Sequence, residues 1–280
     1  MSTREYFLRD QSRTLFPLET SRTLVTHFEQ ELQSFIAHQV LDPQGGAAFL
    51  PQQRCYAAKH GFFLRRTVKL DPVAEYYLYD VVYRNRRDFY PDNRPTRISY
   101  GYRFVGDAPE SPNRAYARFR QDSWVGGFQY RHSIRTDIAS YFNSVYHHDL
   151  VSCVRAVGWP EADVNGLGRF LREINSGRSI DCLPQGIHPS KVLGSEFLRF
   201  LDDSHQLKSE LILRFQDDIH LFDQDMGRLQ TDLLTLQALL GERGLSLNTA
   251  KTHVDGHEGG GIEDEVDQIR RDLLQKRGEV

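Results

Sequence analysis

Two adjacent acids, Asp217 and Asp218, interrupt the apolar run LILRFQDDIHLF at 211–222. Leu211 to Phe215 and Ile219 to Phe222 read as strands, so the acids fall at a tight turn between them. A surface hairpin would favour Asn-Gly or Asp-Gly there, and this one has no glycine. Neighbouring carboxylates repel unless something positive lies beside them. A divalent cation meets that need: Mg²⁺ takes hard oxygen ligands, usually one or two carboxylates, and leaves room for waters and substrate phosphates. Asp137, at the end of the strand-like HSIRT, is the best candidate for a third carboxylate. Three Asp on two neighbouring strands suit two metal ions about 4 Å apart, the arrangement used for in-line displacement at phosphate. The other adjacent pair, Asp202-Asp203, follows the apolar GSEFLRFL with no strand before it and reads as a helix end.

The elements that must position these acids alternate along the chain. Residues 21–40 read as one amphipathic helix with Leu24, Phe28, Leu32, Phe35 and Ile36 on a face, ended by DPQGG. Residues 73–84 fit a helix, and RPTRISYGYRF at 94–104 a strand interrupted by glycine. HSIRTDIASYF at 132–142 reads as a strand that turns at Asp137. Helices follow over 144–157 and near 166–175, and DCLPQGIHPSK at 181–191 is a turn-rich entry to another. After the hairpin, Leu229, Leu233, Leu236 and Leu240 are in helical phase until Gly241 and Gly244, and LSLN reads as a short strand. GHEGGG at 256–261 is a joint, and 262–277 an acidic helical segment with Ile262, Val266, Ile269 and Leu273 in phase. The order strand, helix, helix, hairpin, helix, strand suits a small mixed sheet with helices on one face.

Composition narrows the class. The 280 residues carry a net charge of −3, with 39% hydrophobic and 26% charged, which fits a globular chain of one large or two smaller domains. No run approaches the roughly 18 apolar residues of a membrane span. The N-terminal MSTREYFLRDQSR lacks the apolar core of a signal peptide. Cys55, Cys153 and Cys182 form no CxxC, which argues against a disulfide framework or zinc knuckle and fits a reducing cytosol. The expectation is a cytoplasmic protein without a membrane partner. Residues 51–120 hold 14 Lys and Arg against 7 acids, interleaved with Tyr and Phe. A polyanion with stackable bases would meet such a surface, but so would solvent, with Arg packed on rings.

Four motifs carry a family resemblance. FQDD (215–218) resembles the YxDD motif of reverse transcriptases, with Phe for Tyr. TDIASYF (136–142) is similar to their first catalytic motif, LPQG (183–186) to their nucleotide-binding loop, and LSLNTAKT (245–252) to the motif that follows. All four occur in the family's order. The resemblance implies an α+β fold: right-hand fingers and palm, a small antiparallel palm sheet backed by helices, and a thumb absent or truncated. It implies fingers over 1–120, a palm over 121–255 with interleaved fingers helices at 145–180, and a linker and the start of a helical region over 256–280. It assigns Asp137, Asp217 and Asp218, with the Ile138 carbonyl, to two Mg²⁺ (or Mn²⁺) ions. Phe142 matches the gate that rejects a 2′-OH, Gln185 and Gly186 the contacts to nucleotide and template, and Lys251 the lysine that protonates pyrophosphate. Arg65, Arg66 and Lys69 are the candidates for the triphosphate, with Arg103 a further one.

SVYHHDL (144–150), LPQGIHPSK and GLSLNTAKT resemble the abortive-infection (AbiA-like) branch of bacterial defence-associated reverse transcriptases. His148 matches a family histidine there, although a structural histidine bonded to a backbone carbonyl is the plainer expectation. The implied activity is RNA-directed or template-independent DNA synthesis in anti-phage defence. The implied partners are template, primer and dNTPs, with a helical domain or partner chain in place of the thumb. A catalytically idle nucleic-acid-binding module and an RNA-dependent RNA polymerase are the alternatives.

Overall fold

A computed structural model describes residues 1–58, 63–89, 94–177 and 183–256. The segment expected beyond Gly256, with its stripe from Ile262 to Leu273, lies outside the described residues, as does Cys182. Helix α1 (Thr3–Gln11) opens with a capping box: Ser2 Oγ accepts from Glu5 N, and the Glu5 carboxylate accepts from Ser2 N. The single helix expected over 21–40 is instead α2 (Glu19–His27), α3 (Glu29–Phe35) and a π turn, Ile36–Val40. The break falls at Phe28, whose φ of −131° leaves the helical region. The buried face is carried by Val25 before the break and by Leu32, Ile36 and Val40 beyond it, while Phe28 and Phe35 are exposed.

Strands β1 (Gln53–Ala58) and β2 (Leu64–Lys69) pair antiparallel as a separate two-stranded ribbon. Helix α4 (Pro72–Arg84) is N-capped by Asp71, carries Pro72 in its first turn and is buried nearly all round. Then come β3 (Arg97–Tyr100), the short pair β4 (Phe104–Val105) and β5 (Ala108–Pro109), and α5 (Pro112–Gln129). Next are β6 (His132–Asp137), α6 (His147–Val157), α7 (Glu161–Ile174), α8 (His188–Phe197) and α9 (Arg199–Asp202). The hairpin β7 (Leu211–Phe215) and β8 (Asp218–Asp223) follows, then α10 (Met226–Gly241) and β9 (His253–Gly256).

The central sheet runs in the order β3-β7-β8-β6-β9. Its four strands β7, β8, β6 and β9 are antiparallel, and the edge strand β3 lies parallel to β7. The residues LSLN contribute only a bridge, Leu247 to Ile138, and the fifth strand is β9 a few residues later. Strand alternation gives the sheet two apolar faces. Ile134, Ile212, Ile219 and Leu221 join the main core with the helices, whereas Leu213, Phe222, Tyr100 and Phe119 form a second, smaller core under α5. Gly126 allows α5 this close approach: a Cβ there would stand 3.1 Å from the Phe222 ring.

The main-core face also contains Arg214, which is 2% exposed. Its Nε donates to Asp202 Oδ1 at 2.9 Å and its Nη2 to the other oxygen of the same carboxylate. Further donations reach Ser99 Oγ (2.9 Å), Ser195 O (3.2 Å) and Gln216 O (3.2 Å). Asp202 ends α9, as its sequence context implies, but its role is to neutralise a charge buried under the sheet. Removing one partner of a buried pair leaves the other uncompensated, so Asp202→Ala should cost about 3–5 kcal/mol of unfolding free energy. A shift of the urea midpoint at unchanged slope measures it.

Candidate active site

The β7–β8 hairpin closes through two residues, Gln216 and Asp217. Gln216 has φ +56°, a conformation that glycine usually takes in such turns. A non-glycine residue there stores roughly 1–3 kcal/mol and persists only where its surroundings hold it. Two bonds hold Gln216: its carbonyl accepts from Arg214, and its Nε2 donates to Lys191 O at 2.8 Å. The turn is therefore fixed from below by a buried guanidinium and from the side by α8.

The register places Asp137 directly opposite Asp218. Opposed residues of an antiparallel pair share a face, so both carboxylates stand on the side of His220 and Phe222. Asp217 belongs to the turn itself, and its carbonyl accepts from Ile138 N at 3.2 Å. On the far side of β6, Asn248 N donates to Asp137 O (2.8 Å) and Ala139 N to Ser246 O (2.8 Å). The segment 246–248 thus delivers the turn Thr249–Lys251 to the carboxylates, and Lys251 Nζ donates to Asp137 Oδ2 at 2.8 Å. The hydrogen bond that Lys251 donates to Asp137 and the charges of Asp137, Asp218 and Asp217 raise the Lys251 pKa. With Lys251 65% exposed, the ion pair itself contributes little to stability.

Asp217 is costly to ionise. Burial raises its pKa first; its own backbone amide, Lys251 and Arg65 oppose that rise, and the Asp137 charge adds to it. Asp137 Oδ1 is buried and accepts no hydrogen bond. Such an orphaned carboxylate oxygen is expensive, and a cation would satisfy it. All the donors here are hard oxygens, which fits Mg²⁺ in kind. Among the described residues, however, no three Asp, Glu, His or Cys side chains converge closely enough to hold a metal ion. Lys251 takes the other oxygen of the Asp137 carboxylate, Oδ2.

The remaining candidates divide. Leu183 N donates to Phe142 O (2.9 Å), which ties the LPQG loop to the segment after Asp137. The Phe142 ring is half-buried against Tyr141. Gly186 has φ +103°, and Thr67 Oγ1 donates to Gln185 O at 3.4 Å, joining this loop to β2. By strand alternation Arg65 and Lys69 share the face of Thr67, and the Arg65 charge reaches Asp217. Arg66 lies on the opposite face across from Tyr56, so the expected trio is a pair. Arg103 is engaged by Glu110 at 2.6 Å. His148 is exposed and its Nδ1 faces Asp149 rather than a backbone carbonyl; its neighbour His147 is buried, beside Asn175. Arg214 and Gln216 are the residues that motif matching misses. An arginine inside the apolar strand LILRF was the available signal.

The sign of the Asp217 shift makes a prediction. A carboxyl whose folded pKa is raised destabilises the fold when ionised, and this cost vanishes as pH falls through the raised value. In chelator at neutral pH, Asp217→Asn should raise the thermal midpoint, and the gain should shrink on acidification. A midpoint that falls at every pH would contradict the assignment.

Comparisons agree with this geometry. The profile of the family described as reverse transcriptase (RNA-dependent DNA polymerase) matches residues 117–258, just over half of the chain. No curated protein matches. Among solved structures, apo telomerase from Candida tropicalis truncated from its C-terminal domain superposes with a TM-score of 0.51 at 12% identity. The overlap covers 86% of this chain and 56% of that one. Telomerase from the same organism in complex with the TWJ fragment of telomeric RNA gives 0.52 at 12% identity, covering 86% and 46%. The chain spans about half the length of these telomerases, and at such identity the likeness concerns the fold: α+β, with the fingers and palm of a polymerase. The chain belongs to the reverse transcriptase family.

Proposed function

We propose that the chain polymerises dNTPs into DNA, RNA-directed or without a template, using fingers at 1–120 and a palm at 121–255 that interleaves fingers helices at 145–180. The observation that carries this reading is the register of Asp137 against Asp218 beside the Asp217 turn, with an Asp137 oxygen buried and unsatisfied. Mg²⁺ or Mn²⁺, held by Asp137, Asp217, Asp218 and the Ile138 carbonyl, would acidify a primer 3′-OH and offset charge on the α-phosphate and pyrophosphate.

The chain's own residues do the rest. Arg65 and Lys69, on the face of β2 joined to Gln185, hold the triphosphate. Gly186 keeps the loop backbone open to close approach, and Gln185 contacts nucleotide and template. Phe142 packs under the sugar and excludes a 2′-OH. Lys251, kept protonated by the carboxylates around it, gives its proton to the leaving pyrophosphate. Template and primer are the nucleic-acid partners, and a structural neighbour was solved with RNA. A helical domain or second chain takes the place of the thumb. The SVYHHDL and LPQGIHPSK stretches support an AbiA-like role in cytoplasmic anti-phage defence. No helix among the described residues is long and apolar enough to cross a membrane.

One observation favours an idle, scaffolding module instead: Lys251 occupies Asp137, and the carboxylates do not converge. Incubation with primer-template, dNTPs and Mn²⁺ separates the two. Incorporation is expected, and Asp217→Ala should reduce it by at least about 100-fold. Primer-template binding without incorporation under any metal decides for the scaffold. Phe142→Ala should admit rNTPs. Wild-type protein that already prefers rNTPs would make the chain an RNA polymerase.

A further inference from the structure

Glycine is a poor helix former beside alanine, so one inside a helix calls for a packing reason. Gly194 lies buried inside α8. A Cβ there would stand 3.3 Å from both Phe142 Cε1 and Tyr141 Cε1, and 3.5 Å from Phe142 Cζ. The bare backbone of α8 is therefore the surface on which these two rings rest, and they meet each other edge to face with centroids 5.3 Å apart.

We propose that Gly194 is a positioning residue for the Phe142 ring, and that its missing side chain sets which 2′ substituents an incoming nucleotide can carry. This rests on the polymerase reading, in which Phe142 is the ring beneath the sugar. The contacts decide which neighbour gives way to a methyl at position 194.

Helix α8 is held by three of its carbonyls. Lys191 O accepts from Gln216 Nε2 (2.8 Å), Gly194 O from the Tyr141 hydroxyl (2.6 Å) and Ser195 O from Arg214 Nη2 (3.2 Å). The donors come from the β7–β8 turn, from the segment after β6 and from β7, so α8 cannot back away without breaking bonds to the catalytic hairpin. Tyr141 is 2% exposed, and its hydroxyl is tied to the residue that would grow. The Phe142 backbone is tied as well, because its carbonyl accepts from Leu183 N at 2.9 Å. What remains is the Phe142 ring, which is half-buried and has no polar group to anchor it. Pushed from its buried side by a few tenths of an ångström, the ring moves toward its open side, where the sugar lies on this reading. Gly194 itself has ordinary helical backbone, unlike Gly186, so alanine suits the position and only the contacts of the added methyl are at issue.

Single-nucleotide incorporation by the parent chain and by Gly194→Ala, with dNTP, 2′-fluoro and ribo substrates and Mn²⁺, reads the effect. The variant should raise the KM for dNTP severalfold with little change in kcat. It should lower the use of 2′-fluoro and ribo substrates relative to dNTP by about tenfold. In a Phe142→Ala background the same substitution should leave selectivity unchanged, because the ring that transmits it is gone; a methyl acting through general structure would show in both backgrounds. Thermal unfolding reads the contact apart from activity. Gly194→Ala should raise the midpoint more in the Phe142→Ala background than in the parent, where the methyl has to displace the ring. Additive midpoint shifts overturn the contact. A parent chain that incorporates dNTPs, with the same selectivity in Gly194→Ala, overturns the role of Gly194 and leaves the polymerase reading standing. A parent chain that incorporates nothing under any metal overturns both.

Discussion

A guanidinium with almost no access to water underlies the geometry of the site. Arg214 must bury its charge, and Asp202 neutralises it with two oxygens. The donors left over reach Ser99 on β3, Ser195 on α8 and the Gln216 carbonyl in the turn. One side chain therefore fixes β7 against β3, against α8 and α9, and against the turn that presents Asp217. A hydrophobic residue of similar volume could fill the space, and such replacements of buried ion pairs are often neutral for stability. It could not restrain a two-residue turn whose first residue is a glutamine at φ +56°. The cost of the buried pair has a structural return in the shape of the hairpin.

Above that support the electrostatics reverse. Asp137 and Asp218 stand opposite each other where β6 and β8 pair, Asp217 lies in the adjoining turn, and Lys251 is the cation that contacts Asp137. Lys251 is mostly exposed and on a short 3₁₀ turn, so it can leave at small cost. The burial that raises the Asp217 pKa is unfavourable for folding and favourable for a ligand that carries two positive charges. A fold that spends stability in this way at one place gains from a cation there, which is the trade found where a site is built for binding.

The sequence is legible where a local pattern and the tertiary environment agree. The hairpin flanks, the body of α4 and the leucines of α10 are such places. It is less legible where burial is two-sided or the exposed face is apolar. Trp124, Val125 and Phe128 break the stripe of α5, so periodicity does not announce that helix. Strand β2 hides behind Arg65, Arg66 and Lys69, and without the strand the parity that separates Arg66 from the other two is invisible. The parallel pairing of β3 with β7 joins residues more than a hundred apart in sequence, and no local signal encodes it. Asp202 reads correctly as a helix end, but its partner is found only once α9 and β7 are packed.

The loop LPQG shows how the two halves of the site are joined. Leu183 is bonded to Phe142, on the palm side, and Gln185 to Thr67, on the β1–β2 ribbon. Leu15, from the segment after α1, rests on Gly186 where a Cβ would come within 3.1 Å of it. The loop is therefore suspended between an element that carries Arg65 and Lys69 and an element that carries Asp137. Thr67 lies on the same face of β2 as Arg65 and Lys69, so the loop is bonded to the face of the ribbon that carries these two cations. The positive φ of Gly186 gives the loop its bend, and a side chain at that position would meet both the strained backbone and Leu15.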